Sequence, residues 1–200
     1  MSRQTQKVAT RRKVLDAARD LFQTIGYEES TIRAIAERAG VSVGSVFSGF
    51  SSKAAILSEV MQERLAALHQ ELVRVTPHLR GSTVDRLRSI FAIHYAFQTE
   101  RLRLFLAHLA AGYSLVQDPA AVPFGANAPL RAILRDTIVA GIDRGDVAAD
   151  IELDLIIDVI LSTYSWNYRL AAQSGADSEA MTRSMDRQLG LIFRGAGGRA

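Results

Sequence analysis

Two short helical patterns separated by a single glycine, within residues 31–50, constrain the fold of this chain more than any other feature. The segment reads TIRAIAERAGVSVGSVFSGF. Two short helices that cross steeply need a tight turn, and one residue of that turn takes a positive φ, which glycine adopts without strain. Gly40 supplies that residue, and Ala36 is small enough to let the helices pack closely just before the turn. We therefore predict a helix–turn–helix unit centred on Gly40.

Helical periodicity continues along the rest of the chain, and no segment shows the two-residue alternation of a β-strand. Glycines, prolines and capping residues divide the apolar pattern into separate segments. We predict an all-α fold of about nine helices, in which residues 1–53 form a three-helix head and residues 54–200 form a larger helical body. The predicted helices lie at about 11–25, 32–39, 43–47, 53–75, 83–99, 101–116, 128–144, 152–173 and 177–193, with residues 1–10 outside the first helix and a loop at 117–127.

Composition excludes several classes of function. The chain has no cysteine, so it has no disulfide, no thiolate metal site and no cysteine nucleophile. Its four histidines are scattered, and it lacks a nucleophile elbow, a P-loop and a dinucleotide fingerprint. We therefore predict a protein that is not an enzyme and has no metal or cofactor. No continuous apolar 20-residue stretch and no signal-peptide core are found, so we expect a cytoplasmic protein that does not enter a membrane.

Positive charge is concentrated at one end of the chain. Residues 1–53 contain 9 Lys or Arg and 5 Asp or Glu, whereas residues 54–200 contain 15 and 16. A local basic surface attracts polyanions, above all nucleic acid. Five cations come before the first acid, Asp16, and we interpret them either as an arm that contacts DNA or as a solubilising tail: Arg3, Lys7, Arg11, Arg12 and Lys13.

Residues 11–57 resemble the DNA-binding head of the TetR (tetracycline-repressor-like) family of bacterial transcription regulators. In that family Tyr usually stands at the position of Phe47, where its hydroxyl commonly touches a phosphate, and His or Tyr often stands at the position of Gly49. Both departures remove contacts to the DNA backbone. The resemblance rests on Leu21, Phe22, Gly26, Tyr27, Thr31, Ile35, Ala36, Ala39, Gly40, Val41, Ser42, Gly44, Phe47, Phe50 and Lys53.

The resemblance implies a role in DNA binding for several residues of the head. Thr31 and Lys53, at helix starts, resemble the family's phosphate clamps, and Arg33 occupies a position that can reach bases. The first residues of the second short helix enter a major groove in proteins with this motif, and Val43 suits a thymine methyl group. The predicted DNA-binding residues are Arg11, Thr31, Arg33, Ser42, Val43, Gly44, Ser45, Phe47 and Lys53.

The last two predicted helices have more apolar surface than one core-facing stripe requires. In the resembled family, the final two long helices of each subunit form a four-helix dimer bundle, and a dimer is what reads a palindromic operator. The alternative is that the apolar faces of both helices pack only against the core of their own chain. The residues predicted to lie at a homodimer interface are Leu155, Val159, Met185, Leu189 and Ile192.

The body also contains more aromatic and polar side chains than a plain spacer needs. An apolar cavity with a few polar groups is the usual site for a small molecule, although each histidine also suits an ordinary core or surface position. The sequence does not identify the effector, but its composition favours a mainly apolar one. The predicted ligand-binding residues are Phe91, His94, Tyr95, Phe105, His108, Tyr113, Trp166 and Asn167.

These features together predict a ligand-responsive regulator of transcription. Residues 1–53 would bind double-stranded DNA at a palindromic operator, and residues 54–200 would bind an effector and a second copy. Effector binding would shift the spacing of the two heads and release the DNA, as expected of a repressor. The alternative is a DNA-binding regulator with no small-molecule effector.

Overall fold

The first helix begins well before its apolar stripe. In the computed structural model, which describes residues 3–112 and 128–196, α1 runs from Arg3 to Thr24. The prediction that residues 1–10 lie outside the first helix is therefore wrong for residues 3–10. Those residues include no glycine or proline, and a polar segment without such a residue can extend a helix that packing has already stabilised.

The remaining elements follow the predicted order. The short helices α2 (Ile32–Ala39) and α3 (Val43–Phe47) come first and are followed by α4 (Lys53–Val75) and a 3-10 turn (Thr76–His78). The later helices are α5 (Thr83–Thr99), α6 (Leu102–Gly112), α7 (Ala128–Arg144), α8 (Leu153–Ser174) and α9 (Ser178–Ala196). Within the two described ranges there are nine α-helices and no strand, which confirms the all-α prediction. The loop predicted at 117–127 lies outside those ranges.

The described residues form two units. The first unit takes in α1, α2, α3, the part of α4 that ends at Ala66, and α6. The core of its head is built where α1 packs against α2 and α3, and it contains Ala18, Phe22, Ile35 and Val46, all at most 3% exposed. Fully burying such an aliphatic or aromatic side chain stabilises a fold by roughly 1.5–3 kcal/mol.

The second unit takes in α4 from Ala67 onward, together with α5, α7, α8 and α9. The main packing partner of α5 within it is α9, and the core residues Leu87, Phe91, Tyr95 and Leu189 are completely buried. A capping box starts α5: the Ser82 hydroxyl accepts a hydrogen bond from the N–H of Asp85, and the Asp85 carboxylate accepts one from the N–H of Ser82. The Ser82 hydroxyl also donates to the Asp85 carboxylate over 2.7 Å, and this bond, together with that from the Ser82 N–H, lowers the pKa of Asp85.

Close contact joins the start of α5 to the end of α7. The N–H of Thr83 donates to the Asp146 carboxylate, and the Arg144 guanidinium donates to the Thr83 hydroxyl over 3.0 Å. At Gly141, a Cβ atom would lie 1.9 Å from Thr83 Oγ1 and 2.8 Å from Val147 Cγ2. Only glycine therefore fits at this position of α7.

The two units do not divide at residue 53, because α4 contributes to both. The functional boundary between residues 53 and 54 stays a prediction. Among the helices of the described ranges, none is both long enough and apolar enough to cross a bilayer.

Candidate functional site

The turn between α2 and α3 has the geometry that the sequence predicts. Gly40 adopts the left-handed conformation, with φ of 65° and ψ of 38°, and the N–H of Val41 donates to the carbonyl of Ala36 over 3.0 Å. Thr31 and Ser42 cap the two helices, since each hydroxyl accepts a hydrogen bond from the backbone N–H three residues later over 3.1 Å. Side-chain and backbone bonds thus fix where both helices begin and how they are joined.

One face of α3 is anchored and the opposite face is open. Val46 is completely buried and fixes α3 to the core of the head. Phe47 is 55% exposed and Val43 is 40% exposed, although both are large apolar side chains. Gly44 lies between them, and a Cβ there would meet only the Ser42 hydroxyl, at 3.9 Å. This surface is apolar and lets another molecule approach the backbone closely.

Hydroxyl groups and Arg33 complete this surface. The Ser42 and Ser45 hydroxyls lie 2.8 Å apart, and the Ser48 hydroxyl donates to the carbonyl of Ser45. Arg33 is exposed on α2. A cleft of about 250 Å³ lies between α1 and the end of α3, and its lining includes Lys7 and Ser48. The sequence did not predict that these two residues lie together, because residues 1–10 were expected outside the first helix. The early start of α1 brings Lys7 beside α3.

Lys53 does not point toward solvent as a phosphate clamp would. Its Nζ donates to three backbone carbonyls in the loop between α1 and α2: Tyr27 over 2.7 Å, Glu28 over 3.2 Å and Ser30 over 3.0 Å. It also lies 4.2 Å from the centre of the Tyr27 ring. An ammonium group has three donors, so all of them are used within the chain. This geometry favours a role of Lys53 in positioning the head, and its direct phosphate contact stays a prediction.

Arg11 is likewise held inside its own unit. Its guanidinium donates to the carbonyl of Gly49, forms an ion pair with Glu59 on α4, and lies 4.1 Å from the centre of the Phe50 ring. These contacts tie α1 to α4 and to the loop after α3. They favour a role of Arg11 in positioning the head, and its place in a DNA-contacting arm stays a prediction.

Other arginines of the head also have acidic partners. Arg12 and Arg19 both form ion pairs with Glu63 on α4, over 3.2 Å and 2.6 Å. Arg38 on α2 pairs with Asp20 on α1. Much of the positive charge that the sequence concentrates in residues 1–53 is therefore balanced locally.

Several predicted ligand-binding residues form a buried cluster in the second unit. Phe91, His94 and Tyr95 on α5 meet Tyr164 on α8, with the ring centres of Phe91 and Tyr164 5.2 Å apart. His94 Nδ1 lies 3.1 Å from the Tyr164 hydroxyl. Asn167 donates to the Tyr95 hydroxyl over 2.9 Å and to the Gln188 side chain on α9 over 2.8 Å. Asn167 thus joins three helices of the core.

Two buried polar side chains of this region lack partners for some of their atoms. His94 Nε2 and both amide atoms of Gln98 are buried, with no hydrogen-bond partner in the described part of the chain. Burial, together with nearby His69, lowers the pKa of His94 to about 3, so its imidazole is neutral near pH 7. His94 and Gln98 lie one turn apart on α5, and an unpaired buried polar group costs about 1–3 kcal/mol. The sequence offered no signal for Gln98.

The other predicted ligand-binding residues lie elsewhere. Phe105 and His108 belong to α6 in the first unit, with ring centres 6.5 Å apart, and burial lowers the pKa of His108. Trp166 is 54% exposed on the outside of α8, so its assignment to a ligand pocket is not supported. Tyr113 lies outside the described residues. No three His, Asp or Glu side chains in those ranges are grouped to hold a metal ion.

The predicted dimer residues divide into two groups. Leu155 is 54% exposed and Val159 is 42% exposed, on the same face of α8. Met185 and Leu189 are completely buried in the core of their own unit, so their side chains are not available to a partner. Ile192 is half-buried. The prediction is therefore corrected for Met185 and Leu189: the apolar stripe of α9 that contains them faces α5 and α8.

The fold and the head define a helix–turn–helix protein with a helical body. Residues 14–60 match the family model described as bacterial regulatory proteins, tetR family. The A-factor receptor protein of Streptomyces griseus is 37% identical over 71 residues, which are 36% of this chain and 26% of that protein. The HTH-type transcriptional regulator BetI of Klebsiella pneumoniae is 31% identical over 80 residues, which are 40% of this chain and 35% of that protein. The chain thus matches only about a quarter to a third of the length of these relatives.

Similarity to solved structures extends over the whole chain. The structure of Thermus thermophilus FadR, a TetR family transcriptional repressor in complex with lauroyl-CoA, is 25% identical with a TM-score of 0.76, and the match covers 95% of this chain and 96% of that one. Residues 14–60 thus match the tetR family model, and the chain as a whole is similar to a TetR family repressor.

Proposed function

We propose that this chain is a transcriptional repressor that binds a palindromic operator as a homodimer and releases it when a small, mainly apolar molecule binds. The observation that supports DNA reading most strongly is the open face of α3. Val46 anchors the helix while Val43, Gly44 and Phe47 stay exposed. A short helix presented in this way, after a capped helix and a tight turn, suits the major groove.

We propose a revised set of residues for DNA contact. Thr31, Arg33 and the residues of α3 remain candidates, and Lys7 joins them because it lines the cleft beside α3. Lys53 and Arg11 act indirectly, by holding the head in shape. The retained set on α3 and its cap is Ser42, Val43, Gly44, Ser45 and Phe47.

An apolar stripe on α8 supports the proposed homodimer. Leu155, Val159, Trp166 and Leu170 are between 39% and 54% exposed, and their spacing places them on one face of the helix. Leu191 on α9 is 65% exposed. A stripe of large apolar side chains in contact with water marks an interaction surface, and a second copy would bury it.

The buried polar atoms on α5 support an effector site in the body. His94 Nε2 and the Gln98 amide could hydrogen-bond to a polar group of a molecule whose remainder is apolar. The similar Thermus thermophilus repressor was solved with lauroyl-CoA, and the apolar lauroyl chain makes this compound the first probe to use. The helix α4 runs from the head into the second unit, and Lys53 is its first residue. An effector that displaces α4 would therefore also disturb the hydrogen bonds of Lys53. The cluster of Phe91, His94, Tyr95 and Tyr164 is buried, which favours the alternative, a regulator without an effector.

Recovery of DNA fragments tests the function and the dimer together. Purified protein is mixed with sheared genomic DNA from its source, and bound fragments are sequenced at roughly physiological salt. We expect a shared palindromic site for the wild-type protein.

Val159→Asp would place a charge in the proposed interface, and we expect it to yield a monomer in sedimentation and to lower operator affinity at least about tenfold.

A matched control substitution shows whether the effect of Val159→Asp is specific to the apolar stripe on α8. Val139 on α7 is 39% exposed, close to the 42% of Val159, but it lies outside the stripe. Val139→Asp should leave both the dimer and the operator affinity unchanged. Recovery of random fragments would contradict the proposed function, and a dimer that survives Val159→Asp would contradict the proposed interface.

Gln98→Met tests the effector site. The substitution removes two buried polar atoms that have no partner, so we expect it to raise the melting temperature without ligand by about 2–8 °C. We also expect the variant to reduce the rise in melting temperature that lauroyl-CoA produces in the wild type. Gln70→Met, at an exposed position of α4, serves as the control and should change neither value. A lower melting temperature for Gln98→Met would show that the amide stabilises the fold itself.

A further inference from the structure

We infer that α3 distinguishes one base from another chiefly through the 5-methyl groups of thymine, which are contacted by Val43 and Phe47. This inference rests on the proposed function and specifies how α3 distinguishes one sequence from another. Its basis is the chemistry of the side chains that the head actually presents.

The helix α3 and its cap lack the side chains that identify bases by paired hydrogen bonds, so on this surface only Arg33 of α2 could do so. Arg and Lys recognise guanine, Asn and Gln recognise adenine, and Asp and Glu recognise cytosine. Residues 42–48 read SVGSVFS and include none of these six types. A contact with the thymine methyl is the direct readout that remains for aliphatic and aromatic side chains.

The serine hydroxyls of this segment contribute little discrimination. Ser42 Oγ accepts the N–H of Ser45 and lies 2.8 Å from Ser45 Oγ, while Ser48 Oγ donates to a backbone carbonyl over 3.0 Å. Each hydroxyl therefore already has a partner within the head. A hydroxyl can also either donate or accept, so it suits several bases equally well.

Geometry favours two thymine methyls that lie close together. Val43 and Phe47 are four residues apart, so they lie on the same side of α3, separated by about 6 Å along its axis. Successive base pairs are about 3.4 Å apart, so the two side chains would reach methyl groups one or two steps apart. Gly44 between them adds no side chain, and its surface is open for close approach. Burial of two exposed apolar side chains against methyl groups would then favour thymine.

Replacing thymine with deoxyuridine removes only the methyl group and so tests this inference directly. The probe is the operator recovered from genomic DNA, synthesised with deoxyuridine at every thymine of both half-sites. We expect its affinity to fall at least about tenfold at fixed salt, because each half-site loses methyl contacts. The slope of affinity against salt should not change, since phosphate contacts remain. Deoxyuridine placed only outside the half-sites is the control and should have no effect.

Phe47→Ala gives a second measurement. The side chain is 55% exposed and Val46 provides the anchor of α3, so the variant should fold and melt like the wild type. We expect it to bind the thymine and deoxyuridine operators with nearly equal affinity. Equal binding of both operators by the wild-type protein would overturn this inference while leaving the proposed function intact. Failure to recover any shared site would overturn the proposed function, and this inference with it.

Discussion

We expect Lys53→Met to lower operator affinity at least about tenfold and to leave the salt dependence of that affinity unchanged. The Lys53 ammonium donates to the carbonyls of Tyr27, Glu28 and Ser30, and the substitution would leave these three acceptors without their donor. We expect the free energy of unfolding to fall by about 2–4 kcal/mol, because hydrogen bonds to a charged group are stronger than neutral ones. The loop before α2 would then no longer hold the helix–turn–helix unit in place.

The salt dependence separates this positioning role from a direct DNA contact. Removing a lysine that neutralises a phosphate lowers the slope of log affinity against log salt by about 1. The measurement is therefore a titration of operator DNA at several salt concentrations, with unfolding in urea alongside. Lys13→Met, at an exposed position of α1, is the control for stability and should change the free energy of unfolding by less than about 0.5 kcal/mol. If Lys53→Met reduces the salt slope and leaves the free energy of unfolding unchanged, Lys53 contacts a phosphate directly.

Gly141→Ala is expected to destabilise the second unit by about 2–4 kcal/mol. The new Cβ would lie 1.9 Å from Thr83 Oγ1 and 2.8 Å from Val147 Cγ2, so α5 or α7 would have to move. Alanine in a helix interior otherwise gains about 1 kcal/mol over glycine, and the clash therefore reverses the usual sign. The midpoint of urea unfolding measures this effect.

Two further variants locate the cause of that loss. Gly190 on α9 is also a helical glycine, and a Cβ there would meet only the mobile end of the Arg194 side chain, at 3.3 Å. Gly190→Ala should therefore leave stability unchanged or increase it slightly. Thr83→Ala combined with Gly141→Ala removes the clashing hydroxyl and should recover part of the lost stability. If Gly141→Ala is as stable as Gly190→Ala, α5 and α7 do not pack as closely at Gly141 as described.

Local features of the fold were predictable from the sequence because they depend on residues close together in the chain. The caps at Thr31 and Ser42 and the positive φ of Gly40 each involve only a few neighbouring residues. The start of α1 was not predictable in this way, because residues 3–10 carry no apolar stripe and only extend the packed part of the helix toward its N-terminus.

Residues whose partners are distant in sequence were assigned less well. Lys53 meets Tyr27, and Arg11 meets Glu59, across gaps of 26 and 48 residues, and nothing in either local pattern shows which carbonyl or carboxylate will lie nearby. The apolar stripes of α8 and α9 posed a similar problem. Periodicity locates a stripe but does not show whether it faces the chain's own core, as at Met185, or solvent, as at Val159. Trp166 was assigned to a pocket on residue type alone.

The ion pairs of the head have a consequence for how such a protein would search a genome. Arg11, Arg12, Arg19 and Arg38 each lie beside a carboxylate of their own chain. Affinity for arbitrary DNA grows with the number of phosphates that cations neutralise, so a head in which four of the nine cations already pair with carboxylates would stay bound to unrelated sequence for a shorter time. A larger fraction of the molecules would then be free at any moment to encounter a rare operator.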